Sequence, residues 1–539
     1  MPPLRSLEVA RTIHAREYGA MPDDGADDLA AVQAAFNALA ASAEPTRLLF
    51  EKGTYVLNAP ASADGDSRWL TRLESVTNAV IDFAGARFII RDPASGFIHL
   101  DRCRNIILRD GTFEYDPQPH TAGVIEAVDP REGTLDLRIP GRFPCPDRPW
   151  FESASARWGY RLDPEIPGRV MHGAVNVHRY KEVRRIGTRR FRVTIQPGRP
   201  EYWAGFKVGD RFTMLARTHA EFLFAQYCRQ ITAMDLTTYH TPAGHYISVR
   251  TDALNVIRCR SPIMPGFWKG GNADAVHVQS SRIGPWVEGC LFEGISDDAL
   301  VVYARPFSIT EQISPTRLRI ARLTNRGEAA LPREGEIRRD DILDFLNPNT
   351  GVVTATAAVR EFLPEEQIIR LDAPVTNMLV GAGKDRTQIW NRSMARGCVL
   401  IDNTIVNSRR YGIYVKASDV LIAGNRIGGT SSCAMSFHNE PGAPNGPFCH
   451  NVVIRDNEIV HCGFDHGFLK HPRSGAIRVM ARRLDYSPAQ RGAPHSGFRI
   501  LNNRFRDLLR PPLCLSNVRD VRLSGNTLDG EGFTRTTGP

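Results

Sequence analysis

Apolar residues in this chain come in short runs, each followed by a polar turn and a second short run. The clearest copies are Val399-Leu400-Ile401-Asp402-Asn403-Thr404-Ile405, Leu421-Ile422-Ala423-Gly424-Asn425-Arg426-Ile427 and Val453-Ile454-Arg455-Asp456-Asn457-Glu458-Ile459. The pattern returns as Ile500-Leu501-Asn502-Asn503-Arg504-Phe505 and Val521-Arg522-Leu523-Ser524-Gly525-Asn526-Thr527-Leu528. The interval is 22 residues from Asn403 to Asn425 and 23 from Asn503 to Asn526. A strand, a tight turn and another strand at this period describe one coil of a parallel β-helix. Asn tolerates the left-handed turn conformation, and its amide can bond to the Asn of the next coil.

A second strand follows each turn. Its copies are His245-Tyr246-Ile247-Ser248-Val249-Arg250, Asp274-Ala275-Val276-His277-Val278-Gln279 and Asp298-Ala299-Leu300-Val301-Val302-Tyr303, then Tyr411 to Lys416, Cys433 to His438 and Gly475 to Met480. Aligned this way, the third and fifth residues are apolar and point inward. The outward positions carry Ser248, Arg250, His277, Gln279, Tyr303, Tyr414, Lys416, Ser436 and His438. A polar and aromatic ridge of this kind suits sugar hydroxyls, although any one member is equally explained as solvated sheet surface.

Two segments interrupt the repeat. Residues 118–219 and 306–390 alternate apolar and polar positions, as in Thr134-Leu135-Asp136-Leu137-Arg138-Ile139 and Arg317-Leu318-Arg319-Ile320-Ala321. Each is expected to form a small antiparallel, barrel-like β domain. The expected organisation is a cap and first coils over 1–117, an insertion over 118–219 and coils over 220–305. A second insertion over 306–390 and closing coils over 391–539 complete it. Near the N-terminus, Gly19 to Asp28 reads as a turn with an Asp cap, followed by an Ala-rich amphipathic helix over 29–41. An exposed β-helix end needs such a cover. The fold class is therefore all-β: a right-handed parallel β-helix with a capping helix and two inserted β domains.

Composition narrows the function. With 42% hydrophobic and 24% charged residues in 539, the chain is a folded protein. No apolar run approaches the roughly 20 residues that span a bilayer. Residues 1–10 lack the apolar core of a signal peptide, so either the protein is cytoplasmic or the chain begins after a removed leader. The net charge of +9 is dispersed, with Arg often beside acids, and argues against nucleic acid as partner. The ten cysteines include no CxxC pair. Cys228, Cys259 and Cys290 stand 31 residues apart, which predicts thiols filling equivalent core slots.

The chemistry concentrates at three carboxylates. Asp274 and Asp298 hold the same place in neighbouring repeats, on strands that should lie roughly 4.8 Å apart, and Asp297 adjoins Asp298. His245 is matched to that place one repeat earlier. Clustered carboxylates repel, so at least one is raised and keeps its proton. A protonated acid beside an ionised base is what glycoside hydrolysis needs. A lone Asp at a strand start ordinarily caps a turn, but three on adjacent coils facing a basic and aromatic ridge favour catalysis. A calcium site stays open as the lesser reading; no EF-hand loop is present, and neither a metal nor a cofactor is expected.

At these residues a family resemblance is specific. Asn272-Ala273-Asp274-Ala275-Val276-His277, then Gly294-Ile295-Ser296-Asp297-Asp298-Ala299, resembles glycoside hydrolase family 110, the α-1,3-galactosidases. That family pairs an ADA-[IV]-H strand with a GxxDDA strand one coil later. Tyr115-Asp116-Pro117 and Trp158 to Pro164 are similar to it as well. Where His-Gly often follows the double Asp in that family, this chain has Tyr303-Ala304. The polygalacturonases, family 28, share the three Asp. They also carry a Gly-His-Gly motif, absent here, and an Arg-Ile-Lys motif, replaced here by Tyr414-Val415-Lys416. A neutral sugar is thus favoured over a uronate.

The resemblance implies an exo-acting glycosidase that releases terminal α-1,3-linked galactose with inversion. Asp297 would be the acid, and Asp274 with Asp298 would hold the water. Contacts to sugar would come from His245, Arg250, His277, Gln279, Tyr303, Tyr414, Lys416, His438 and Glu440. It also implies a secreted or periplasmic location and a glycan substrate, and leaves a homodimer open. A polygalacturonase-like hydrolase, a polysaccharide lyase and a non-catalytic glycan-binding β-helix remain the alternatives.

Overall fold

The computed structural model describes residues 7–58, 68–196, 203, 205–324, 329–332 and 335–533. Successive coils stack into a parallel β-helix. One strand per coil builds a ten-stranded sheet, which includes Leu223–Gln226, Tyr246–Val249, Val276–Gln279, Leu300–Tyr303, Ile413–Val415 and Met435–His438 in that order. The remaining coil strands form a 21-stranded sheet on the other sides. Between them runs one apolar core, from Ile13 to Leu513, into which Val276, Val278, Leu300, Val302, Ile413 and Val415 point.

The asparagines stack as their period predicts. Nδ2 of Asn403 donates to Oδ1 of Asn425 at 3.0 Å, Asn425 to Asn457 at 2.9 Å, Asn457 to Asn503 at 2.9 Å and Asn503 to Asn526 at 3.0 Å. Each amide also donates to a main-chain carbonyl in the preceding coil, so the polar turn is satisfied inside an otherwise dry core.

Three expectations about the coils need correction. The strand Tyr246–Val249 pairs with Val276–Gln279 so that Ile247, not Ser248, lies opposite His277. Continuing that register sets Gly244, not His245, against Asp274. The cause is an ambiguous pattern: Tyr246, Ile247 and Val249 put apolar residues in both phases, and a slip by one residue reverses every side chain. Tyr246 and Ser248 therefore face inward and are fully buried. Among the cysteines, Cys259 and Cys290 do occupy matching places, because Arg260 pairs with Leu291. Cys228 instead stacks on Cys103, whose N–H reaches its sulfur at 3.2 Å. The capping helix spans Leu29–Ala40. Its first N–H, at Leu29, bonds to Asp27, whereas the Asp28 carboxylate accepts from Met21 and Val56 across the cap.

Both insertions are closed antiparallel rings. The first joins His120–Asp129, Thr134–Arg138, Ala156–Leu162, His178–Gly187, Arg190–Ile195 and Arg211–Arg217 around Phe191, Val193, Phe212 and Met214. The second runs through Phe307–Ser314, Arg317–Leu323, Ile368–Leu371, Val352–Leu363, Ile342–Asn347 and Gln388–Asn391, which pairs back with Phe307–Ser314. The first returns to the coils at the ten-stranded strand Leu223–Gln226 and the second leaves them at the ten-stranded strand Leu300–Tyr303, and both bear on the site.

Candidate active site

Val276 lies opposite Leu300, and this register makes Asp274 and Asp298 equivalent in successive coils. The main-chain N–H of Asp298 donates to Oδ1 of Asp274 at 3.0 Å. One carboxylate oxygen from each of Asp274, Asp297 and Asp298 gathers within 4.8 Å of the others. Such a spacing also suits a hard cation, but here arginines supply the counter-charge.

Asp297 is clamped. Arg217 donates to its Oδ2 at 2.7 Å and Arg409 to its Oδ1 at 2.9 Å, with Arg410 at 3.8 Å. Burial by itself would raise this carboxyl, but Arg409, Arg217 and Arg410 outweigh it and hold the group well below the usual carboxylate range. The first insertion supplies one arm of the clamp and supports another. Arg217 ends its last strand, Trp158 lies 4.7 Å beneath the Arg409 guanidinium, and Tyr160 bonds Ser296 at 3.0 Å.

Asp298 has the opposite setting. Among the described residues its donors are the Tyr411 N–H, at 3.3 Å, and, at ion-pair distance, Arg410 at 3.6 Å. Burial pushes it up to about 7, and the charges of Asp297 and Asp274 add to the push against Arg410. Two adjacent carboxyl groups are thus driven apart, Asp297 downward and Asp298 upward.

Asp274 takes a second hydrogen bond, between its Oδ2 and Nδ1 of His277 at 2.7 Å. His277 Nε2 lies 3.2 Å from the Tyr303 hydroxyl, which donates to Gln279 at 2.8 Å. On the next coils, Lys416 Nζ sits 3.5 Å over the Tyr414 ring and 3.9 Å from Glu440. Burial lowers Lys416 to about 7 against the pull of Glu440. Glu440 is held well below its ordinary value despite burial, by His438, Lys416 and Arg410. His438 is buried and driven strongly toward its neutral form, bonded to Tyr414 at 2.7 Å and Ser436 at 2.8 Å.

These groups wall a cavity of about 450 Å³ that contains Asp274, Asp297, Asp298, His277, Tyr303, Tyr414, Lys416 and Glu440. Of the other expected sugar contacts, Gln279 reaches it through Tyr303 and His438 through Tyr414. Two are elsewhere. The His245 ring is enclosed, with Nδ1 on Thr238 at 2.7 Å, and the residue meets Asp274 only through the main chain. Arg250 bonds Glu336 at 2.7 Å and fastens the second insertion to the coils.

Arg217, Arg305, Arg410, Asn445 and Tyr486 also line the cavity and were not singled out from sequence. Arg410 carried a readable signal, since continuing the pairing of Leu300 with Ile413 sets it opposite Asp297. Glu221 is a further carboxyl pushed up to about 7 by burial, but it lies outside the cavity wall. A larger cavity of about 520 Å³ sits beside Trp286, Leu421 and Val453. Its one acid, Asp419, is already paired with Arg396, so it lacks the means for acid–base work.

Comparison with known proteins follows the same line. Alpha-1,3-galactosidase B of Bacteroides thetaiotaomicron is 21% identical over 97% of this chain and 87% of its own length. Alpha-1,3-galactosidase A of Shewanella woodyi is 26% identical over 97% and 86%. This chain is similar to α-1,3-galactosidases along nearly its whole length. Alpha-1,3-galactosidase B of Akkermansia muciniphila matches at 26% over 47% of the chain, which spans only 31% of that relative. No family model matches the chain. Among solved structures, the catalytic unit of a GH87 α-1,3-glucanase from Streptomyces thermodiastaticus gives a TM-score of 0.44. It is 12% identical over 96% of this chain and 56% of that one.

Proposed function

We propose that this chain is an exo-acting glycoside hydrolase that removes terminal α-1,3-linked galactose from glycans with inversion. One observation carries the reading: adjacent carboxyl groups in one cavity wall, Asp297 bonded by Arg217 and Arg409 and Asp298 buried with a single main-chain donor and a more distant arginine. That division departs from the roles implied by the resemblance. Asp297 cannot readily give a proton while two arginines stabilise its charge, so Asp298 is the better donor to the glycosidic oxygen. Asp274, bonded by the Asp298 N–H and by His277, then serves as base toward water. Asp297 places fixed negative charge beside the sugar ring as oxocarbenium character develops.

A neutral sugar fits the surroundings better than a uronate. Tyr414 stands where an arginine would meet a carboxylate, and Lys416 already faces Glu440 inside the cavity. Tyr303 and Tyr414 offer ring faces to a sugar, Arg305 offers donors, and Asn445, whose N–H groups bond Glu440 and Ala443, offers its Oδ1 as an acceptor. The cavity volume lies toward the small end of ligand clefts, which favours a terminal residue over a long chain. Inversion follows the resemblance. The trio's oxygens approach more closely than the roughly 6.5 to 9.5 Å of ordinary inverting pairs, so spacing alone does not select it. No helix among the described residues is long and apolar enough to cross a membrane. We place the protein outside the cytoplasm, secreted or periplasmic, on the same resemblance.

The test is a panel of terminal α-galactosides, linear and fucosylated, with oligogalacturonate as the charged competitor. Release of galactose by the wild type, and its loss in Asp297→Asn, Asp298→Asn and Asp274→Asn, supports the reading. Cleavage of oligogalacturonate alone overturns it.

A further inference from the structure

A hydrogen-bond chain runs from Gln279, behind the cavity wall, to Asp274 within it. It starts at the Gln279 amide, passes through the Tyr303 hydroxyl at 2.8 Å, crosses to His277 Nε2 at 3.2 Å and ends with His277 Nδ1 on Asp274 Oδ2 at 2.7 Å. Its members are outward side chains of two adjacent strands, because Gln279 lies opposite Tyr303 and His277 opposite Val301.

The other acids lean on different partners. Asp297 has Arg217 and Arg409, and Asp298 has Arg410 and a main-chain N–H. Asp274 has no arginine or lysine within ion-pair distance among the described residues; its side-chain partner is His277. A neutral imidazole carries one proton, and whichever nitrogen holds it is decided by what the other nitrogen meets. The orientation of a Gln amide is fixed only by its hydrogen-bond network. With the amide oxygen toward Tyr303 the hydroxyl donates to Gln279; with the amide turned, its N–H₂ donates to the Tyr303 oxygen, as Arg305 does at 3.4 Å, and the hydroxyl proton is freed for His277 Nε2. The ring proton is then on Nδ1 and points at Asp274.

We propose that Tyr303 is a positioning residue that acts through His277 to present an N–H to Asp274, aiming that carboxylate as the base. The proposal rests on the glycosidase reading for its kinetic consequence but not for its structural one. Burial pushes the Tyr303 hydroxyl up to about 12, so it stays protonated and able to donate. Its ring is also packed edge-on to His277, with centroids 5.2 Å apart, and beneath Lys416 Nζ at 5.2 Å. Tyr303→Phe keeps these contacts and removes the hydroxyl alone.

The test uses the whole chain, labelled with ¹⁵N at the histidine rings. Long-range ¹H–¹⁵N spectra report the tautomer of His277, identified by its loss in His277→Gln. The expected result is a protonated Nδ1 in the wild type and a shift of population toward Nε2–H in both Tyr303→Phe and Gln279→Leu. An Nε2–H ring in the wild type, or spectra unchanged in both variants, overturns the proposal. This readout needs no turnover, so it stands apart from the galactosidase reading. On any glycoside the wild type cleaves, each variant should lower kcat about 10- to 100-fold with KM within about threefold. The double variant should be no worse than the poorer single one, because both break the same chain. Multiplicative losses would mean that Tyr303 and Gln279 act separately, which contradicts it.

Discussion

Asp274 and Asp298 face each other from successive coils, and the main-chain N–H of the second donates to the carboxylate of the first at 3.0 Å. The bond ties the two working groups to the backbone of the β-helix. The Asp298 carboxyl itself is buried beside Asp297 and Asp274, and burial is the main cause that pushes it up.

The pH dependence of kcat/KM should follow from Asp298. Its carboxyl is pushed up to about 7 by burial, so the acid is loaded below that pH and empties above it. Activity should fall as pH rises through about 7, with the descending limb absent for substrates whose leaving group needs no protonation. A descending limb that persists with an activated aryl galactoside would assign that limb to another group.

The same shift has a consequence for stability. A carboxyl raised in the folded state favours folding below its unfolded value, roughly 3.9, and that advantage is lost as pH rises through about 7. Asp298→Asn should therefore raise the Tm more at pH 8 than at pH 4, relative to wild type at each pH. Equal changes at both values would show that Asp298 ionises in the native state as it does in the unfolded chain.

Replacing Arg409 by Met should be costly out of proportion to its contact with substrate. It would leave Asp297 with Arg217 as its close partner and remove the hydrogen bonds to Ser296 and Asn176. We expect kcat to fall about 100-fold or more through misplaced charge, measured on the most readily cleaved galactoside. Arg409→Lys should recover little, since one ammonium cannot span the same partners.

In the asparagine stack, Asn457→Leu should destabilise the fold by about 2 kcal/mol or more. It strands the Asn425 N–H groups and empties the bond to Asn503. Chemical denaturation would show it as a lower midpoint. Asn526→Leu, at the last member, should cost less.

Much of this architecture was legible because a β-helix repeats its chemistry. Asn403, Asn425, Asn457, Asn503 and Asn526 sit at one turn, and each is forced to be Asn-like by a buried polar corner. The same logic located Asp274 and Asp298 as equivalents. It failed where the strand pattern held apolar residues in both phases, as at Tyr246, Ile247 and Val249, and so misplaced His245. Arg250 was drawn away by Glu336, a residue of the second insertion. Arg217 was invisible for a related reason: it reaches Asp297 from a barrel strand 80 residues away, and no local spacing encodes that meeting. The protonation order of Asp297 and Asp298 also needed the fold, because neighbouring positions in sequence received arginines on one side and burial on the other.

The central claim is that this carboxylate trio cleaves a terminal α-1,3-galactoside by direct attack of water. Hydrolysis of Gal-α-1,3-Gal followed by ¹H NMR in the first minutes, before mutarotation, tests it most directly. The account predicts that β-galactose appears first, and that Asp298→Asn abolishes the signal. First appearance of α-galactose, or no galactose at all, would contradict it.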